Sequence, residues 1–443
     1  MALSTQPYKG ARDFYPEDKR LQKYIFGKLR ETVEAFGYEE YDAPILEPTD
    51  LFLSKGNQEI IDEQTYTFKD RGDRSVTIRT EMTPSVSRMV AGRRQELAYP
   101  LRWYSIPNLW RYERPQRGRS REFWQLNVDI FGVEKSRAEL EIIQVMDACL
   151  RAFKARPDMY TIKLNSRQFM SHVFRQYLGL DEVQAATVSR LIDRMHKIDR
   201  ANFVTHVDAI CNPSQREAGI VEKLLDVLDA KRFSALPMEL QQDKSIKNLQ
   251  QLLEQLEQAG ITNTVFDVTL MRGFDYYTDV IFEIFDTHPD NNRSMFGGGR
   301  FDSMVGLFGV EPVPTVGFGM GDATLQNFLE LHELLPELQT ETDACVIIIG
   351  DVYEAAQHVI KELRQDGGMC LAVDFTDRKL DKKIKTADKK GIPYIIIIGE
   401  DELKNNQFTI KNLRSGVEEK HGVSRIASII EDHRSRTAGK ELN

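Results

Sequence analysis

A chain of 443 residues is long enough for two or three domains. Its 41% hydrophobic and 29% charged residues exclude wholesale disorder. Lys and Arg number 59 against 68 Asp and Glu, a net charge of −9, which excludes a globally basic nucleic-acid coat but leaves room for local basic patches. The longest apolar runs, near Val346–Ile349 and Ile395–Ile398, fall far short of the ~20 residues that a membrane span needs. The N-terminal MALSTQPYKGARDF lacks the layout of a signal peptide. Cys149, Cys211, Cys345 and Cys370 are widely spaced without a CxxC pair, so neither a zinc site nor a disulfide framework is expected. The expectation is a cytoplasmic protein without a membrane partner.

In chain order, Leu21, Ile25, Leu29, Val33 and Phe36 form a helical stripe over 17–36 that ends before Gly37. Pro44 and Pro48 bracket a short extended piece. Residues 101–112 and 122–131 read as strands joined by an arginine-rich loop, and 137–155 reads as a helix. Residues 166–260 are mostly helical, with apolar i, i+3/i+4 spacing over 181–195, 215–231 and 244–260. Strands are predicted at 265–270 and 280–285, followed by glycine clusters at 297–299 and 317–321. Residues 343–430 alternate strands (344–349, 370–374, 394–398) with helices (352–365, 379–390), which implies a parallel sheet with right-handed crossovers. The chain thus divides into 1–165, a helical insertion 166–260, 261–330, a linker 331–342, 343–430 and a frayed tail 431–443.

Four constellations carry chemistry. Between Arg111 and Arg121 stand five arginines and one acid, Glu113, and arginine's planar fork suits phosphate oxygens. In the strand that follows, period-two alternation puts Leu126, Val128 and Ile130 on one face and Gln125, Asn127 and Asp129 on the other. Three buried polar groups on one face are costly without partners, so this face reads as the floor of a polar pocket. The second is MRGFDYYTDVIFEIF, 271–285, where adjacent tyrosines would point to opposite faces of a strand. In FGGGRFDSMVGLFG, 296–309, glycines permit positive φ and close backbone approach, as in ligand-binding loops. RTEMTPS, 79–85, adds Glu81 and Thr83, suited to an ammonium group.

These motifs, in this order, resemble those of the histidyl-tRNA synthetase family of class II aminoacyl-tRNA synthetases. RGFDYYTD and GGGRFD are similar to its two histidine signatures, LWRYERPQRGRSREFWQ to class II motif 2, and YDAPILEP to motif 1. The resemblance implies an α+β catalytic domain on a class II antiparallel sheet with flanking helices, a helical insertion, and a C-terminal α/β anticodon-binding domain. It implies activation of L-histidine by ATP to histidyl-adenylate and transfer to tRNA(His), with Mg2+ accompanying ATP and a homodimer formed through motif 1. Arg111 and Arg272 would act on the α-phosphate, with Glu113 and Arg121 also in the ATP site. Glu81, Thr83 and Gln125 would hold the α-amino group, and Asp129, Tyr277 and Tyr276 would read the imidazole. The Mg2+ ligands stay unassigned.

Two positions depart from the family pattern: Asp279 stands where a glycine usually follows DYYT, and Thr324 where motif 3 ends in an arginine. Arg121 is the expected substitute for that arginine. Asp377–Lys390, with seven Lys/Arg and three Asp, fits an RNA partner. The alternative is the non-catalytic, synthetase-like regulatory subunit of ATP phosphoribosyltransferase, which lacks the anticodon domain.

Overall fold

The computed structural model describes residues 3–53, 64–116, 118–134, 136–271, 276–291, 294–365 and 367–441. The chain divides into two compact units, residues 1–13 with 24–335, and residues 14–23 with 336–443. Residues 166–260 fall inside the first unit and are helical apart from short connections.

Among the described residues the first unit is built on a nine-stranded sheet. Its strands are β1 (Glu39–Glu40), β5 (Leu101–Ser105), β6 (Asn108–Trp110), β7 (Glu122–Phe131), β8 (Tyr160–Ser166), β9 (Thr264–Phe266), β10 (Val280–Asp286), β11 (Ser294–Arg300) and β12 (Thr315–Gly321). They run in the order β1-β5-β7-β12-β11-β10-β8-β9, with β6 also paired to β7. The central pairs are antiparallel; only β1–β5 and β8–β9, at the two edges, are parallel. A separate three-stranded sheet joins β2 (Leu46–Pro48), β4 (Ser75–Ile78) and β3 (Tyr66–Lys69).

The predicted strand 101–112 is two strands. Pro107 interrupts it because proline lacks an N–H and restricts the residue before it, and the Pro107 carbonyl instead accepts from Gln125 N at 3.2 Å. Both glycine clusters, the first of them likened from sequence to a ligand-binding loop, lie in strands, β11 and β12. None of these glycines has positive φ, so the property used is close approach, not turn geometry. Val128 and Phe318, paired across β7–β12, are buried on the opposite face from Asp129 and Gly317, which pair in the same register.

The second unit carries β13 (Ala344–Ile348), β14 (Leu371–Asp374), β15 (Tyr394–Ile398), β16 (Phe408–Asn412) and β17 (Glu418–His421), ordered β14-β13-β15-β16-β17. The first three are parallel, as the alternating pattern predicts, and an antiparallel hairpin extends them. Ala344, Val346 and Ile348 face one apolar cluster while Cys345 and Ile347 face another, so helices cover both sides. The predicted tail is instead the end of the helix Val423–Glu441. Ile426 and Ile430 are buried one turn apart, and Arg434 Nε donates to Asp343 Oδ1 at 2.6 Å, which carries the helix past 430.

In the first unit, a buried ion pair ties the nine-stranded sheet to the helix Arg137–Arg151. Arg300, the arginine of GGGRFD at the end of β11, is 1% exposed and makes a bidentate pair with Glu139 at 2.5 and 2.9 Å. Glu139 lies in the helix Arg137–Arg151. The Arg300 guanidinium also donates to the Val133 carbonyl and to Asp302, and its carbonyl accepts from Thr278 N at 2.7 Å. Removing one partner leaves a buried charge uncompensated. Glu139→Ala should therefore cost about 3–5 kcal/mol in urea unfolding, and a loss below about 1 kcal/mol would contradict this role.

Candidate active site

The polar face of β7 becomes a floor because the strands beside it carry glycines. Asp129 pairs with Gly317, Asn127 with Gly319 and Gln125 with Gly321 on β12; Gly317 and Gly319 pair in turn with Gly299 and Gly297 on β11. A Cβ at Gly317 would lie 2.0 Å from Asp129 Oδ1, and one at Gly319 would lie 2.3 Å from Gln125 Nε2. The missing side chains are the space into which Asp129 and Gln125 extend.

Two hollows that share lining residues sit on this floor. A small pocket of about 50 Å3 is lined by Glu81, Thr83, Gln125, Asn127, Asp129, Tyr276 and Tyr277, together with Phe301, Phe318 and glycines of β11 and β12. All six residues assigned to the amino acid from sequence meet here. Glu81 and Thr83 come from the turn that opens the helix Thr83–Gly92. The Tyr276 hydroxyl donates to Glu81 Oε2 at 2.9 Å and lies 3.2 Å from Thr83 Oγ1. The adjacent tyrosines do not diverge to opposite faces: both bound this pocket, with ring centroids 5.1 Å apart, because they precede β10 instead of lying in it.

The larger cavity, about 390 Å3, shares Gln125, Tyr277, Gly297 and Gly319 with the pocket. It adds Arg111, Glu113, Arg119, Phe123, Glu283, Asp322 and Thr324. The Arg111 guanidinium is held by the Thr80 carbonyl, 3.0 Å from Nε, and lies 5.3 Å from the Phe123 ring centre. Arg119 and Phe123 were not assigned from sequence. The signal for Phe123 was available, since it shares the period-two face of Gln125.

Arg121 does not line the cavity, which corrects its expected ATP role. Its guanidinium stacks on Tyr112, 3.9 Å from the ring centre, and donates to the Tyr8 hydroxyl and the Glu113 carbonyl. The N-terminal segment packs over it, with the Gly10 carbonyl accepting from Arg121 N and Glu122 N. Aromatic stacking and two oxygen partners thus absorb the cation. Arg119 occupies the position by the cavity, and a Cβ on its neighbour Gly118 would reach 3.7 Å from Thr324 Cγ2. Thr324 spends its hydroxyl on the Gly321 carbonyl at 3.0 Å. Arg272 lies outside the described residues. Asp279 accepts from Ser166 Oγ at 2.8 Å, which gives the departure from the signature a structural partner at the end of β8.

Burial dominates the electrostatics. It pushes the Asp129 carboxyl up to about 8. It also pushes Glu81 up to about 7, against the opposing pull of Arg111 and the Tyr276 hydrogen bond. Burial likewise raises both tyrosines, with Glu81 adding to the effect, so they are neutral donors at pH 7. A ligand that brings positive charge or N–H donors would restore the carboxylates to their ionised, accepting form.

Residues 10–325 match the family profile described as histidyl-tRNA synthetase, and residues 343–433 match that described as anticodon binding domain. The chain is similar to the histidine–tRNA ligase of Leptospira biflexa, 42% identical over 93% of this chain and 94% of that one. It is also similar to that of Thermoplasma volcanium, 34% identical over 94% and 96% of the two chains. The fold resembles the crystal structure of histidyl-tRNA synthetase from Nostoc sp. PCC 7120, with TM-score 0.79 and 22% identity over 98% of this chain and 100% of that one. The chain belongs to the histidyl-tRNA synthetase family.

The raised carboxyl of Asp129 makes a prediction about stability. Its folded value, about 8, lies above the ordinary 3.8, so between those values the folded state holds more protons than the unfolded state. Stability from this group is therefore full below about 4 and is lost as pH rises toward 8. In the ligand-free protein, Asp129→Asn should raise Tm by several degrees at pH 8.5 and by much less at pH 5. Equal shifts at both pH values in differential scanning fluorimetry would contradict this origin.

Proposed function

We propose that this protein activates L-histidine with ATP and transfers the histidyl group to tRNA(His). The observation that carries the reading is the convergence of Glu81, Thr83, Gln125, Asp129, Tyr276 and Tyr277 on one pocket that shares Gln125 and Tyr277 with the Arg111 cavity. Glu81, Thr83 and Gln125 meet the α-amino group, and Asp129 accepts an imidazole N–H, with the tyrosines fixing the ring. A side chain without ring N–H groups leaves Asp129 buried and unpaired, which is the strong form of discrimination.

ATP enters as its Mg2+ complex in the larger cavity. A histidine carboxylate oxygen attacks the α-phosphorus; the α–β bond breaks and pyrophosphate leaves. The 3′-terminal ribose hydroxyl of tRNA then attacks the acyl carbon, and AMP leaves. The protein positions groups and stabilises charge. Arg111 serves the α-phosphate, with Arg272 assigned there by its place in the signature. Arg119 serves the outer phosphates, and Phe123 offers a ring face to the adenine.

In residues 343–433, Tyr353 and Phe375 are exposed with ring centroids 6.0 Å apart, and Lys382 and Lys385 face solvent, features suited to unpaired bases and phosphates. Lys383 is turned inward, donating to the Ile348 carbonyl. Ile45, Leu46 and Phe68 are exposed in and beside the three-stranded sheet, which supports a homodimer through 41–48. The protein works in the cytoplasm. The regulatory-subunit reading is disfavoured by the anticodon-binding match and by Arg111, Gln125 and both tyrosines in place.

Histidine-dependent exchange of pyrophosphate into ATP tests the reading. Activity with histidine alone among the standard amino acids, followed by charging of tRNA, is expected; exchange with none or with many would contradict it. Within that assay, Arg119→Ala should raise the KM for ATP about tenfold or more, whereas Thr324→Ala should change it less than about threefold. A reversed order would return the triphosphate contact to the helix that carries Thr324.

A further inference from the structure

The arginine loop 112–120 stands on a strand edge that the sheet leaves unfinished. β12 pairs with β7 from Phe131 back to Gln125, where Gly321 ends the strand and the helix Asp322–Leu331 begins. Beyond that point the N–H groups of residues 121–124 that face this edge need other acceptors. Two groups distant in sequence supply them. Asp322 Oδ1 accepts from Trp124 N at 3.0 Å. The Gly10 carbonyl accepts from Arg121 N at 2.9 Å and from Glu122 N at 3.2 Å.

The N-terminal segment is shaped for this contact. Gly10 sits at φ +89°, and a Cβ there would lie 2.7 Å from Arg121 Cγ, so only glycine fits. Two residues on, Arg12 Nη2 donates to Asp322 Oδ2 at 2.7 Å, and its guanidinium lies 5.8 Å from the Trp124 ring centre. Asp322 is 8% exposed and forms part of the wall of the larger cavity. A carboxylate there without a cation would repel a triphosphate. Pairing with Arg12 offsets that charge and holds Oδ1 on Trp124, next to Phe123. Gly10 meanwhile holds the end of the loop that carries Arg119. Resting on the histidine-charging function above, we infer that residues 8–12 form a strap that sets the ATP cavity, with Arg12 as its positioning residue. Arg12 acts through Asp322 and Trp124 and does not touch the nucleotide.

Pyrophosphate exchange and calorimetric titration of histidine read the two ligands separately. Arg12→Ala should raise the KM for ATP about tenfold, while the Kd for histidine stays within about twofold of the parent. Adding Asp322→Asn to Arg12→Ala should bring the KM for ATP back to within about threefold of the parent. The amide removes the uncompensated charge, and its oxygen can still accept from Trp124 N. A contact that serves folding alone would give no such recovery. Gly10→Ala tests the strap without touching the ion pair, and should raise the KM for ATP about fivefold with the histidine Kd unchanged. An ATP KM within twofold of the parent in both Arg12→Ala and Gly10→Ala would overturn the proposal. So would an equal loss of histidine affinity, or a double variant no better than Arg12→Ala. A parent protein with no histidine-dependent exchange would instead overturn the function on which the proposal rests, a result read before any variant is made.

Discussion

The site depends on a steric allowance: carboxylate and amide side chains on one strand extend into space that the neighbouring strand leaves empty. Asp129 and Gln125 leave no room for a Cβ at Gly317 and Gly319, with separations of 2.0 and 2.3 Å. The same demand continues one strand further. A Cβ at Gly298 would meet the Gly317 carbonyl at 1.9 Å, and one at Gly299 would meet Tyr277 Cδ1 at 2.9 Å. Glycine in the interior of a strand weakens it through lost packing and added chain entropy. The surrounding structure offsets this with the buried Arg300–Glu139 pair and the apolar reverse face that includes Val128 and Phe318. Those contacts hold a sheet whose upper face is otherwise bare.

The pocket's electrostatics follow from the same geometry. Placing Asp129 against backbone and glycine, away from water, raises its carboxyl to about 8 and makes the empty site unfavourable for a charge. That cost is a source of selectivity, because a ligand supplying N–H donors relieves it and an apolar one does not. Glu81 differs in being tied to Tyr276 and lying under the influence of Arg111. Two buried carboxyls in one pocket thus stand in different surroundings, Glu81 with a hydrogen-bonding tyrosine and a nearby arginine, Asp129 with burial alone.

The alternation in 122–131 was legible because it is a local property: the strand appears where the pattern places it, with its polar face toward the pocket. Legible too were the six pocket residues, since their spacing and order carry the family's motifs. The Gly297–Gly299 cluster was likened to a loop because glycine's local signature is conformational freedom, while its use here is set by groups on other strands. Arg121 was misread for a related reason. Composition counts a cation near the phosphates, but Tyr8 and Tyr112, distant from each other in sequence, claim it. The break at Pro107 was a local signal passed over. The continuation of the last helix was hidden by a polar composition whose anchoring partner, Asp343, lies 91 residues away in sequence.

The account is tested most directly by isothermal titration of histidine into Gly317→Ala. One methyl group there occupies the position that Asp129 Oδ1 holds, while the arginines and the Phe123 ring of the larger cavity are untouched. Histidine binding should weaken about a hundredfold or more, a loss near 2.7 kcal/mol, with ATP binding largely retained. Histidine affinity within about threefold of the parent, below 1 kcal/mol, would contradict the central claim that the bare glycine strand forms the amino-acid pocket.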